Sequence, residues 1–182
     1  MLNFILYKNT KEMDIRMTRV ATVRNTRTEP GDDFWGGTIS EIELEEGVPT
    51  EAFDGIGSFS HLEIIYYFDR VGEGKIVGEG EIAGEGKIVG EGKIVYSRRP
   101  RGNAAYPSMG IFAQRNKDRP NRIGLATVEL VEHRGRVIRV RFLDALDGTP
   151  VLDIKPVFRE FMPKTAVRQP EWVGDLLKDY WK

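Results

Sequence analysis

Cysteine is absent from the 182-residue sequence, which excludes disulfides and thiolate zinc sites. Histidine occurs twice, at His61 and His133, too few for an imidazole-rich metal site, so no metal is expected. No run of eighteen apolar residues exists, and nothing reads as a membrane-spanning helix. The first eight residues hold a short apolar patch, but no basic region precedes it and no small-residue cleavage site follows, so it is not a secretory signal. These absences leave a soluble, cytoplasmic protein as the expectation. Lys and Arg are missing from residues 29–54, which carry nine acids: Glu29, Asp32, Asp33, Glu41, Glu43, Glu45, Glu46, Glu51 and Asp54. Residues 96–125 reverse this, with Arg98, Arg99, Arg101, Arg115, Lys117, Arg119 and Arg122 against Asp118 alone. Such polarity suits an anionic partner such as nucleic acid; the alternative is that the two stretches face each other within the fold.

What is present suffices for one domain with a single core, since 40% of the residues are apolar. Residues 1–17, with Met13 and Met17, have no clear period and read as a loosely attached leader. Residues 19–24 form a short β-type run, followed by loop composition to Asp33. Phe34-Trp35-Gly36-Gly37 sets aromatics beside glycines, either for close approach of backbone to a ligand or for an aromatic stacked on a turn. Residues 38–44 alternate, with Ile42 and Leu44 opposite Glu41 and Glu43, as a half-buried antiparallel strand does. Residues 62–68 are apolar on both faces and read as a central strand, with His61 at its start as a hydrogen-bonded core histidine.

Residues 72–95 are four hexapeptides, Gly-Glu-Gly-Lys-Ile-Val and one variant, Gly-Glu-Gly-Glu-Ile-Ala. The even period keeps Ile76, Ile82, Ile88 and Ile94 on one face of an extended ribbon. No Gly-Lys is followed by Ser or Thr and no helix pattern follows, so the phosphate-loop reading fails. The segment reads as a repeat-expanded insert without catalytic contacts.

The polar, basic stretch from Phe112 to Ile123, broken by Pro120, lies between apolar runs, and a ligand explains such a loop better than packing does. Residues 123–132 alternate as a strand, His133 to Arg136 form a hairpin turn, and residues 137–143 return. The Asp144 to Pro150 turn is rich in acceptors and donors and leads into residues 151–156, where Asp153 and Lys155 mark an edge at a site or an ion pair. Pro170, Glu171, Val173, Leu176, Leu177 and Tyr180 fit a C-terminal helix that closes the barrel or a dimer seam and carries no chemistry.

Three stretches together resemble the TrmO family, also called TsaA-like or YaeB-like. They are residues 57–62 (Gly-Ser-Phe-Ser-His-Leu), residues 110–125 (Gly-Ile-Phe-Ala-Gln-Arg, then Arg-Pro-Asn-Arg-Ile-Gly-Leu), and residues 143–156 with Asp147-Gly148-Thr149-Pro150 and Asp153-Ile154-Lys155-Pro156. The resemblance covers roughly residues 18–160 apart from the insert. It implies a mainly β fold, a small antiparallel β-barrel that is not a Rossmann fold, dimerises and binds S-adenosyl-L-methionine. The implied activity is methylation of N6 of the threonylcarbamoylated adenosine next to the tRNA anticodon. By position it implies cofactor contacts from Asp69, Arg70, Arg115, Leu125, Asp144, Asp147, Gly148, Thr149 and Pro150. Asp144, Asp147 or a backbone carbonyl would accept the amine proton, and Arg98, Arg99, Arg101, Lys117, Arg119 and Arg122 would hold RNA phosphates. Arg122 stands where many relatives have a second proline, Val157 where many have tyrosine, and Asp69-Arg70 replaces a His-Gln type.

Overall fold

The computed structural model describes residues 15–71 and 95–182. The expected leader and the hexapeptide insert therefore lie outside the described residues, apart from residues 15–17 and Val95. Six strands close into a barrel: β1 (Ala21–Arg24), β2 (Ile39–Leu44), β3 (His61–Tyr67), β6 (Ile123–Arg134), β7 (Val137–Arg141) and β8 (Pro150–Pro156). Their order around the barrel is β1-β2-β7-β6-β3-β8, and every pairing is antiparallel. Two short strands, β4 (Ser97–Arg98) and β5 (Met109–Gly110), pair outside the barrel. The fold is mainly β and not Rossmann.

Alternation builds the barrel. Val23, Ile42, Leu62, Ile64, Tyr66, Val128, Ile138, Val140 and Val151 turn inward, as the period-two pattern requires of a closed sheet packed on its own interior. On β2 the acids Glu41 and Glu43 point outward and pair with Arg139 and Arg24. β3 lies between β6 and β8, the central position its two-sided apolar sequence demands.

Three expectations change. His61 is exposed, its Nδ1 sharing a hydrogen bond with Ser60 Oγ, because it precedes the first inward residue of β3 and the strand's parity turns it out. β8 is not an edge, since β1 and β3 flank it; Asp153 and Lys155 form an outward ion pair, beside a register shift opposite Ile65 and Tyr66. The C-terminal helix stops early: α1 spans Glu171–Leu176, with Pro170 as its N-cap. Beyond it the carbonyls of Asp179 and Tyr180 accept from the backbone N–H of Phe34 and Trp35, so they serve another loop rather than a helix.

Candidate functional site

Antiparallel closure fixes which ends meet. The ends of β1, β3 and β7 and the starts of β2, β6 and β8 share one mouth, as the partners Tyr67 and Ile123, Ile39 and Arg141, and Thr22 and Pro150 show. Asp69, Arg70, Leu125 and the turn from Asp144 to Pro150 therefore converge, although they come from three separate strand ends. Loop residues complete the mouth: Arg115 Nη2 donates to the Leu125 carbonyl at 2.5 Å, and Arg70 donates to the Asp147 carbonyl at 2.5 Å and to the Thr28 carbonyl at 2.9 Å. Leu125 keeps 41% of its surface exposed, an apolar spot beside these polar groups.

Asp144 sits at the centre of a phenol clamp. Tyr66 Oη donates to Asp144 Oδ1 at 2.9 Å, and Tyr180 Oη donates to Oδ2 at 2.6 Å. Burial, followed by the Asp144 charge and these hydrogen bonds, pushes both phenols well above their ordinary range. The positive charge of Arg115 acts on both in the opposite direction, which places that guanidinium within electrostatic reach of the clamp. A carboxylate oxygen has more than one acceptor direction, so Asp144 retains capacity for a ligand donor.

Asp147 is fixed differently. Its Oδ1 accepts from the Asn25 N–H at 3.1 Å, and its own N–H donates to the Arg27 carbonyl at 2.8 Å. The Asn25 side chain holds Ser40 Oγ and the Ala145 carbonyl, both at 2.9 Å, tying the β1–β2 loop to the same turn. Gly148 N–H donates to the Val23 carbonyl, and buried Thr149 exchanges backbone bonds with Val23 and Leu146. Thr149 and Pro150 thus set the turn's shape through their backbones, Pro150 opening β8 opposite Thr22. The Asp69 side chain makes no hydrogen bond or ion pair among the described residues, and its backbone N–H bonds to the Tyr67 carbonyl.

The basic residues divide into two groups. Arg98 pairs with Asp118 at 2.5 Å, each side chain only 17% exposed. Arg99 donates to the Ala104 and Tyr106 carbonyls, and Arg101 pairs with the Asp33 carboxylate and donates to the Asp32 carbonyl at 2.7 Å. Arg119 Nη1 reaches the carbonyls of Ile111 and Gln114, at 3.2 and 2.6 Å. These four guanidiniums brace the loop and, through Arg101, join the acidic and basic stretches. Lys117 and Arg122 are the members of the expected phosphate-binding set whose side chains make no hydrogen bond or ion pair among the described residues. No group of three or more His, Asp or Glu able to hold a metal occurs among the described residues.

Tyr66, Tyr180 and Asn25 are the residues that sequence reasoning missed. The inward parity of Tyr66 was visible, but its phenol's target was not, because Asp144 lies 78 residues away. The Tyr180 signal, an apolar stripe, pointed to packing alone.

A closed antiparallel barrel with acidic and cationic groups around one mouth places the chain among barrel-type domains, distinct from the doubly wound nucleotide folds. The profile of the tRNA-methyltransferase O N-terminal domain matches residues 32–162, and the chain belongs to this TrmO family. A probable S-adenosyl-L-methionine-binding protein of Methanothermobacter thermautotrophicus is 35% identical over 152 residues, covering 82% of this chain and 94% of that protein. The Escherichia coli tRNA (adenine(37)-N6)-methyltransferase is 40% identical over 122 residues, covering 64% of this chain but 44% of that enzyme. The crystal structure of TrmO from P. aeruginosa superposes with a TM-score of 0.64 at 22% identity, covering 90% of this chain and 64% of that one.

Proposed function

We propose that this protein transfers the methyl group of S-adenosyl-L-methionine to N6 of the adenosine next to the tRNA anticodon, with the threonylcarbamoylated base as acceptor, and that it acts as a cytoplasmic homodimer. The observation that carries this reading is the meeting of two distant motifs: the loop bearing Arg115 and the turn bearing Asp144 and Asp147 reach the same barrel mouth. Relatives named as S-adenosyl-L-methionine-binding proteins and as tRNA (adenine(37)-N6)-methyltransferases support it.

The residues at the mouth suit the cofactor's chemistry. S-adenosyl-L-methionine carries a sulfonium, an ammonium, a carboxylate and an adenine ring. Asp144 and Asp69 offer carboxylates for the cationic groups, Arg115 a guanidinium for the carboxylate, and Leu125 an apolar surface for the base. When bound, the cofactor supplies an electrophilic methyl and leaves as a neutral thioether. The protein's task is then to hold donor and acceptor in line, and orientation of this kind supplies several kcal/mol of a barrier, up to about 7–11 in favourable cases. The exocyclic amine loses its proton as the N–C bond forms. Asp147 is the better acceptor of the two acids, because its Oδ1 takes one backbone N–H while Oδ2 accepts no hydrogen bond among the described residues.

A second reading, a cofactor-binding module without transfer, is favoured by the naming of the Methanothermobacter thermautotrophicus relative as a binding protein only. Incubation of the protein with bulk tRNA and methyl-labelled S-adenosyl-L-methionine, followed by nucleoside mass spectrometry, separates the two. Label on N6 of threonylcarbamoyl adenosine is the expected result. Cofactor binding with no labelled nucleoside selects the module.

A further inference from the structure

Residue 180 lies beyond the family match, which ends at residue 162, yet Tyr180 reaches the centre of the mouth. The strap that delivers it is anchored at three points. Phe34 and Trp35 donate their backbone N–H groups to the Asp179 and Tyr180 carbonyls at 3.1 and 2.8 Å. The Trp181 ring meets Phe142 edge-on, with centroids 5.7 Å apart. Gly36 lies so close to the strap that a Cβ there would come within 1.9 Å of the Trp181 carbonyl oxygen, so the close backbone approach expected at Gly36 is made to the chain's own C-terminal segment. Tyr106 and Trp172 pack their rings 6.0 Å apart, and Tyr106 Oη donates to Asp175, steadying the helix before the strap.

Two of the four non-glycine residues with positive φ among the described residues lie at these anchors, the others being Arg101 and Arg122. Phe34 and Phe142 have φ of 65° and 67°, a left-handed conformation costly for a bulky side chain, and both touch the strap. Strained loops closed by a dedicated segment point to a built wall rather than to a trailing terminus.

We propose that residues 179–181 form a wall of the S-adenosyl-L-methionine site and that Tyr180 is a positioning residue, its phenol fixing Asp144 Oδ2 so that the carboxylate stays oriented toward the cofactor's cationic groups. The inference rests on the cofactor reading above and adds to it a residue outside the family domain. Asp144 is faced by Tyr66 from β3, by Tyr180 from the strap and, within electrostatic reach, by Arg115 from the loop after β5, while Arg101 acts on Tyr180. Removing the Tyr180 hydroxyl takes one of the two phenol donors from the Asp144 carboxylate and leaves Oδ2 without the donor that fixes its direction.

The test is calorimetric titration, with thermal melting alongside, of S-adenosyl-L-methionine and of S-adenosyl-L-homocysteine, its product without the sulfonium charge, into the full chain of wild type, Tyr180→Phe and Gly36→Ala. Tyr180→Phe keeps the ring against Trp181, whose centroid lies 4.8 Å away, and deletes only the hydroxyl. Gly36→Ala leaves every side chain around Asp144 chemically intact but displaces the strap that carries Tyr180. Both variants are expected to bind about 10-fold more weakly near neutrality, as for loss of a hydrogen bond to a charged group. In both, the preference for S-adenosyl-L-methionine over S-adenosyl-L-homocysteine should shrink, because the carboxylate no longer faces the sulfonium. Wild-type affinity and an unchanged preference in Tyr180→Phe overturn the proposal. So does a loss equal for both ligands and accompanied by a lowered melting temperature, which marks a purely structural strap. Wild-type protein that binds no S-adenosyl-L-methionine overturns the cofactor reading itself and this inference with it, a result distinct from the other two.

Discussion

Tyr66 and Gly124 are partners across the β3–β6 ladder, and the ring occupies the space that a side chain at 124 would need. A Cβ on residue 124 would lie 2.4 Å from the ring carbons. The glycine thereby lets an otherwise buried tyrosine carry its hydroxyl to Asp144. Gly124→Ala should destabilise the fold by about 1–3 kcal/mol, the usual cost of overpacking a well-filled interior. Urea unfolding measures this, and an unchanged midpoint would show that the ring relocates freely.

Asp144 accepts from two phenols, one on each carboxylate oxygen. In Asp144→Asn the amide NH2 faces one of those phenols, which must then turn its O–H away and accept instead of donate. The net negative charge that would meet a sulfonium or ammonium group is also lost. S-adenosyl-L-methionine affinity should fall at least about 10-fold, consistent with losing a charge-assisted contact. Thermal melting run alongside distinguishes a damaged site from a damaged fold.

The strands were legible because parity is local. Ile42 against Glu41 and Glu43, or Leu62, Ile64 and Tyr66 in sequence, state the inward face within seven residues. The motif residues of the mouth were legible as sequence patterns, Arg115 and Asp147 among them. Their partners were not: Arg70 meets the Asp147 carbonyl across 77 positions, and Asn25 meets Asp147 across 122. The contact that the C-terminal segment makes with Asp144 was hidden for the same reason. Tyr180 continues an i, i+3, i+4, i+7 stripe, yet the backbone leaves the helix after Leu176 to pair with Phe34 and Trp35, turning the phenol toward Asp144. His61 was misplaced by one residue of parity, enough to move a side chain from core to solvent.

The raised phenols make stability depend on alkaline pH. Their folded-state pKa values exceed the unfolded value, so their contribution is fully present below the ordinary tyrosine pKa of about 10 and is lost as pH rises beyond it. Tyr106, held by Asp175, acts in the same direction. The urea midpoint should stay level up to about pH 10 and then fall. In Tyr180→Phe the fall should be shallower, since one of the raised groups is gone. Absorbance of tyrosinate followed in parallel should show the clamp phenols ionising only with unfolding.

The two groups of basic residues should behave differently toward RNA. Arg119 spends its guanidinium on the carbonyls of Ile111 and Gln114 and lies 5.9 Å from the centre of the Phe112 ring, so it braces the loop that carries Arg115. Lys117 and Arg122 project from the same loop without a hydrogen bond or ion pair among the described residues. A phosphate contact on single-stranded RNA contributes about 0.7 to the slope of log affinity against log salt. Lys117→Ala and Arg122→Ala should each flatten the slope of tRNA binding by up to about that amount while leaving the melting temperature unchanged. Arg119→Ala should instead lower the melting temperature and weaken S-adenosyl-L-methionine binding through Arg115, with a slope close to that of wild type. Filter binding over a salt series, paired with thermal melting, reads both quantities. A flattened slope in Arg119→Ala with unaltered melting would reverse the division, placing Arg119 on the RNA and the brace elsewhere.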